Sequence, residues 1–313
     1  MAIFYLQISS LSRAAGRRAT AAAAYRAGER IRDERSGELH NYTRRRDVLH
    51  AEIFLPPPYA GAALPWAGNR ERLWNTAEHA EKRYNGRVAR EFQVNLPSEL
   101  PPLARLGLAR AFAQEVAERY KVAVDLAVHA PRPEGDPRNF HAHLLATTRE
   151  VTPSGLGAKT GLDMEARERR KRELPDHRQE FMNVRERWAI LTNEALRAAN
   201  IAARVDHRSL AAQGVEREPT PAIPIMHLKM ERRGVRSEYA ERLRAQYQER
   251  VAGREAQAPS AAPAAPQRDL DEVRRQARAA WLQLRAQAGQ ALGKSATHEP
   301  EPAAHQPDND LAR

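Results

Sequence analysis

The sequence predicts an α+β domain, a sheet with helices packed on one face, followed by a C-terminal helical extension. Three observations predict it. "REFQVNLP", "VAVDLAVHA" and "FHAHLLATTR" alternate in polarity with the two-residue period of half-buried strands. Long stretches with helical spacing stand among them, of which "PLARLGLARAFAQEVAERY" is the strongest. The final third turns polar and rich in alanine and proline, as a helix-and-linker tail does.

Each element follows in order. "IFYLQIS" puts Phe4, Leu6 and Ile8 on one face of a strand. "GRRATAAAAYRAGER" is alanine-rich and therefore helical. The charged stretch "RDERSGELHNYTRRR" is hairpin-like and leads to the strand "HAEIFLP", stopped by prolines. "NRERLWNTAEHAEKRYN" has helical spacing at Leu73, Ala77 and Ala80. After the three alternating strands, residues 151–175 are expected to form a charged, glycine-rich loop. "HRQEFMNVRERWAILTNEALRAAN" then forms a helix ending near Asn200. "AARVDHRSLAAQGVERE" is expected to be a short strand and turn, "PTPAIPI" extended chain and "RSEYAERLRAQYQERVAG" a polar helix. "APSAAPAAPQ" is linker by composition, residues 269–292 have the pattern of one more helix, and the last twenty residues that of a disordered tail. The expected domains are 1–217, a helical extension over 218–253, and linker, helix and tail over 254–313.

With 51 Lys and Arg against 40 Asp and Glu the formal net charge is +11, which favours an anionic partner, nucleic acid first. The absence of cysteine excludes disulfides and thiolate metal sites and is compatible with the cytoplasm, the expected location. There is no run of about 18 apolar residues, so no membrane insertion is expected, and the N-terminus lacks the pattern of a signal peptide.

On the alternating strands the apolar sets are Phe92, Val94 and Leu96; Val124, Leu126 and Val128; Ala142, Leu144 and Ala146. The opposite sets are Glu91, Gln93 and Asn95; Asp125, Ala127 and His129; His141 and His143. If these strands are neighbours, the face away from the helices gathers three histidines and a carboxylate. Two imidazoles at i and i+2 with a third from an adjacent strand can hold a divalent cation and leave positions open for a phosphoryl oxygen. A solvated polar sheet face is the competing reading. Tyr25, behind a run of alanines, is either a packed aromatic or a nucleophile, and composition does not choose.

Four segments, "MAIFYLQISSLSRAAGRRATAAAAYRAGERI", "VDLAVHAP", "FHAHLLATTR" and "ARVDHRSLAAQGVEREP", together resemble the MobA/MobL group of plasmid mobilisation relaxases. These are HUH (His-hydrophobic-His) endonucleases with a single catalytic tyrosine. The resemblance runs from Met1 to about Arg217, and it departs mildly from the family pattern at Ala142, where a larger hydrophobic residue is usual. It implies a ferredoxin-like or RRM-like fold, an antiparallel five-stranded sheet with helices on one side. It also implies that Tyr25 is the nucleophile and that His129, His141 and His143 are the metal ligands. Glu91 matches an acidic residue beside the metal, orienting a histidine or helping to deprotonate the tyrosine. Asp206, His207 and Arg208 lie in a recurrent family segment, assigned to DNA contact or structure.

The expected reaction is nicking of one strand at a plasmid transfer origin through a tyrosine–5′-phosphate link, with rejoining after transfer. The expected substrate is single-stranded and hairpin DNA, with relaxosome accessory proteins and a coupling protein as partners. The basic segments carrying Arg44, Arg45 and Arg46, and Arg169, Arg170 and Lys171, are assigned to phosphate contact, as is Arg208. The cofactor is a divalent ion, manganese or magnesium by abundance, with zinc, cobalt and nickel allowed by ligand softness. No Gly-rich nucleotide loop is present. The competing enzymes are a rolling-circle replication initiator and a single-tyrosine transposase, in many of which the tyrosine lies downstream of the histidine pair. A non-catalytic DNA-binding autorepressor and a small zinc hydrolase are the readings of other classes.

Overall fold

The computed structural model describes residues 2–60, 64–133 and 135–257. A first compact unit runs from Met1 to Glu216 and a second begins at Arg217. Along the chain the elements are β1 (Leu6–Ser12), α1 (Ala19–Ala27), β2 (Arg30–Arg32), β3 (Leu39–Asn41), β4 (Val48–Phe54), α2 (Arg70–Ala80), β5 (Arg87–Asn95), α3 (Pro102–Tyr120), β6 (Val124–His129), β7 (His141–Thr147), β8 (Arg149–Thr152), β9 (Gly155–Lys159), α4 (Ala166–Lys171), α5 (His177–Ala198), α6 (Ile225–Arg232) and α7 (Glu238–Gln257).

Five strands form one sheet in the order β1-β5-β7-β6-β4, and every neighbouring pair is antiparallel. Strands β5 and β6 run parallel, as the α3 crossover demands, but β7 lies between them and pairs with both. The sheet is thus antiparallel throughout, although crossover helices alone would also suit a mixed one. One face packs on α3 and α5. Phe92, Val94, Val124, Leu126, Ala142 and Leu144 meet Phe112, Val116 and Trp188 there in the main core. Phe112 stands 6.2 Å from Phe92 and 5.0 Å from Trp188 between ring centroids. Tyr120 at the end of α3 donates to Glu180 of α5 at 2.6 Å and ties the two helices together.

The second face is not bare along its length. Leu145, Ala89 and Leu11 point to that side and carry a second core made with Ala19, Ala23 and Ala24 of α1 and Leu73, Trp74 and Ala77 of α2. Asp125 anchors this layer: it accepts from Arg70 (2.8 Å) and from the Trp74 indole (2.9 Å). Alternation along β7 switches from His141 and His143 to Leu145, so one end of this face stays polar while the other is covered.

Two expectations are corrected. Residues 151–175 are not plain loop. They contain the β8–β9 hairpin, whose turn places Gly155 at φ 138°, a conformation that L side chains rarely adopt, and the short helix α4. Buried ion pairing of Arg90 with Asp163 holds the following turn down. The stretch 202–218 contains no strand; instead the Asn193 side chain brackets the Val205 backbone, accepting from its N–H at 2.8 Å and donating to its carbonyl at 2.9 Å.

In the second unit Ser237 caps α7 and shares a 2.9 Å hydrogen bond with His227 of α6, whose ring stacks on Tyr239 at 4.6 Å. Helix α6 has no counterpart in the sequence reading. The expected helix over 269–292 and the tail lie outside the described residues. Among the described residues no helix is long and apolar enough to cross a membrane.

Candidate active site

The register builds the site. β7 pairs with β6 so that His141 stands opposite His129, and with β5 so that His143 stands opposite Gln93 and His141 opposite Asn95. Adjacent strands and an even phase bring the three imidazoles together, with ring centroids 5.0–5.3 Å apart. One ring nitrogen from each lies within 4.8 Å of the others. His129 is buried, while His141 and His143 are half-buried, so the group is reachable from solvent.

Every ring has a partner that can only accept. His129 Nε2 donates to the Arg26 carbonyl at 2.8 Å, His141 Nδ1 to the Asn139 carbonyl at 2.9 Å and His143 Nδ1 to Glu91 Oε1 at 2.7 Å. These bonds fix the tautomers and leave lone pairs on His129 Nδ1, His141 Nε2 and His143 Nε2. Burial pushes His129 down to about 4 against the pull of its carbonyl partner, and burial lowers His141 as well. Neutral imidazoles backed by carbonyl or carboxylate acceptors are the donor set that a borderline divalent ion takes. The residues therefore fit such an ion.

Glu91 is buried, which opposes its charge, yet hydrogen bonds from His143 and Arg26 prevail and hold its carboxyl at about 2. A carboxylate so held is a poor proton acceptor near neutrality and a good orienter of His143.

The α1 helix delivers the tyrosine. Its alanines Ala19, Ala23 and Ala24 are buried, while Tyr25 is 40 % exposed, far more than packing would leave a large ring on this helix. Tyr42 meets the Tyr25 ring edge-on at 5.2 Å, and the Arg45 guanidinium lies 4.0 Å from its centroid. Gly28 ends the helix at φ 67°, its N–H bonded to the Ala24 carbonyl, and a Cβ there would meet Val48 Cγ2 at 3.2 Å. Because Arg26 accepts from His129, its neighbour Tyr25 is carried by the turn of helix that touches the imidazole group.

The basic residues divide. Arg44, Arg46, Arg170 and Lys171 are exposed. Arg45 is committed internally, to the Tyr25 carbonyl, the Tyr25 ring and Asp47. Arg169 is buried and donates to the carbonyls of Gly161 and Pro175, so its guanidinium is turned inward. Arg208 is exposed and pairs with Asp206 at 2.7 Å. Sequence reasoning missed Arg26, Arg45 as a partner of Tyr25, and the Arg70–Asp125–Trp74 anchor. Only the adjacency of Arg26 to Tyr25 signalled any of them.

A family model, MobA/MobL family, matches residues 17–233. The chain belongs to the MobA/MobL family. Among relatives of this MobA/MobL member, the mobilization protein MobL of Acidithiobacillus ferridurans is 40 % identical over 247 residues, covering 70 % of this chain and 61 % of that protein. A probable mobilization protein MobA of Bifidobacterium longum is 33 % identical over 251 residues, covering 70 % of this chain and 43 % of its own length. The match thus spans less than two thirds of either relative. A solved structure described as "Molecular Basis of Vancomycin Resistance Transfer in Staphylococcus aureus" superposes with a TM-score of 0.55 at 30 % identity, over 66 % of this chain and all of that one.

Proposed function

We propose that this chain is a relaxase that nicks one DNA strand at a plasmid transfer origin and rejoins it, with Tyr25 as nucleophile and His129, His141 and His143 as the ligands of a divalent ion. The observation that carries the reading is the 2.8 Å bond from His129 to Arg26, which seats the tyrosine-bearing turn of α1 beside three tautomerically fixed imidazoles. Membership of the MobA/MobL family and the mobilization proteins among its relatives support it. The nuclease domain is assigned to residues 1–217 and the helical extension to 218–253, in keeping with a compact unit that ends at Glu216. The reaction takes place in the cytoplasm, on single-stranded and hairpin DNA, with accessory and coupling proteins as partners.

Manganese or magnesium in that triad would supply positive charge to the scissile phosphate; zinc, cobalt and nickel also suit the ligands. The chain's own residues do the rest. Tyr25 Oη attacks phosphorus, the Oη–P bond forms as the P–O3′ bond breaks, and the phenolic proton ends on the 3′ oxygen. The products are a 5′-phosphotyrosine and a free 3′-hydroxyl, and the reverse step rejoins the strand. Glu91 orients His143. Arg45, stacked on the phenol ring, holds the nucleophile in place. Arg44, Arg46, Arg170, Lys171 and Arg208 contact phosphates, which gives affinity and salt sensitivity. Arg45 and Arg169 are withdrawn from that set because their guanidinium groups are engaged internally.

The test is a denaturing gel of purified protein with a labelled single-stranded transfer-origin oligonucleotide and manganese. A protease-sensitive adduct is expected, and Tyr25→Phe should abolish it while leaving DNA binding in place. An adduct that survives the substitution would remove Tyr25 from its role. Turnover without any adduct would favour a hydrolase.

A further inference from the structure

Arg26 has no part in the reaction as described, yet it touches more of the site than any other residue of α1. Successive residues on a helix are rotated by about 100°, so while Tyr25 faces outward Arg26 turns to the sheet. Its Nη1 donates back to the Ala22 carbonyl at 2.9 Å and its Nε to Glu91 Oε1 at 2.6 Å, both side chains being largely buried. The same carboxylate oxygen accepts from His143. The Arg26 carbonyl accepts from His129. One residue thus reaches two of the three imidazoles, one through its main chain and one through its side chain.

The need for such a tie follows from the composition of α1. Nine residues make about two and a half turns, too few to be stable alone. The face that α1 buries is mostly alanine, whose methyls fix the helix loosely against the sheet. The last carbonyls of a helix lack intrahelical partners. In α1 that of Tyr25 takes Arg45 and that of Arg26 takes His129.

We infer that Arg26 is a positioning residue that ties the nucleophile helix to the imidazole group, so that the place of Tyr25 and the ligand geometry are set as one cooperative unit. This rests on the roles of Tyr25 and the histidines proposed above. An ion bound only to the intact site slows exchange at each amide whose opening breaks that site, by a factor of one plus the ion concentration over its Kd. If α1 cannot open without disturbing the imidazoles, its C-terminal amides share that factor.

The experiment measures the Kd for Mn²⁺ of each full-length protein by electron paramagnetic resonance, then follows amide hydrogen exchange at about 100 times that Kd. In the wild type the amides of Gly28 and Glu29, both bonded to the Ala24 carbonyl, should slow by up to about 100-fold. In Arg26→Met the slowing should fall below about ten-fold, because the bridge through Glu91 to His143 is lost and the main-chain carbonyl of residue 26 alone then links the helix to the imidazoles, at His129. Arg26→Gln, too short to bridge to Glu91 as the guanidinium does, should behave the same way and serves if the apolar substitution unfolds the chain. Equal slowing in wild type and variants would overturn the tie, as would Mn²⁺ binding to the wild type with no change at α1. Failure of the wild type to bind Mn²⁺ or Zn²⁺ at all would overturn the metal reading itself and this inference with it, so the two failures are told apart.

Discussion

Under α3 and α5, the even-numbered positions of β5, β6 and β7 carry Phe92, Val94, Val124, Leu126, Ala142 and Leu144, buried against large helix residues such as Phe112 and Trp188. Under α1 and α2, the odd-numbered positions of the same strands carry Glu91, Asp125, His129, His141 and His143, and the facing helix α1 offers mostly alanine. The first face gains stability by area: a fully buried Phe or Leu is worth about 1.5–3 kcal/mol. The second face keeps that gain only where Leu145, Ala89 and Leu11 meet α1 and α2, and gives it up at its polar end. Its polar groups are satisfied one by one, Asp125 by Arg70 and Trp74, Glu91 by Arg26 and His143, and His129 by a helix carbonyl. One sheet therefore separates holding the fold from holding the chemistry, and the small residues of α1 let a helix, and with it Tyr25, come close to a polar surface.

If that division is real, changes on the two faces should have different readouts. The largest effect is expected from Trp188→Ala, which should cost about 3–5 kcal/mol in urea unfolding, with Mn²⁺ affinity of the folded protein within about two-fold of wild type because Trp188 and the histidines lie on opposite faces of the sheet and share no partner. A parallel collapse of metal affinity would show that the faces are not separate. Next comes Glu91→Gln on the polar face. It should weaken Mn²⁺ binding by about 10–100-fold, read by isothermal calorimetry, since His143 loses the carboxylate that orients it. Unchanged affinity would show that Glu91 merely satisfies Arg26.

The smallest effect sharpens the comparison at an ionic clasp of the apolar face. Burial disfavours charge on Glu180, yet hydrogen bonds from Tyr120 (2.6 Å) and Arg119 (3.0 Å) outweigh it and hold its carboxyl below the ordinary value of 4.5. A carboxyl depressed in the folded state adds stability that is fully present above its unfolded value and is lost as pH falls through the folded one. Urea unfolding should therefore show a loss of stability below pH 4.5 that Glu180→Gln flattens, at a cost near neutrality of about 1 kcal/mol. An equally steep acid limb in the variant would assign the effect to other carboxylates.

Much of this was legible in the sequence. Alternation fixed which residues of β5, β6 and β7 share a face, because successive side chains in a strand point to opposite sides. His129, His141 and His143 were in phase on that count alone, whereas composition left Tyr25 open between a packed aromatic and a nucleophile, and only the family resemblance pointed to it. The β8–β9 hairpin was hidden because its few residues carry no hydrophobic alternation, and α6 because its eight residues are too few for a helical period to declare itself. The basic runs misled at Arg45 and Arg169, since a guanidinium reads as solvated until the carbonyls around it are known.

The sequence by itself determined the period of the five strands of the main sheet and of the longer helices, the face on which their residues fall and the chemical type of the site. Tertiary structure decided that β7 lies between β5 and β6, that α1 and α2 cover one end of the polar face, and that Arg26 reaches two imidazoles. The reason is physical. Periodicity is a property of neighbours along the chain, whereas strand order, the partner of an orphan carbonyl and the end of a buried arginine depend on contacts between residues far apart in sequence, 103 positions in the case of Arg26 and His129.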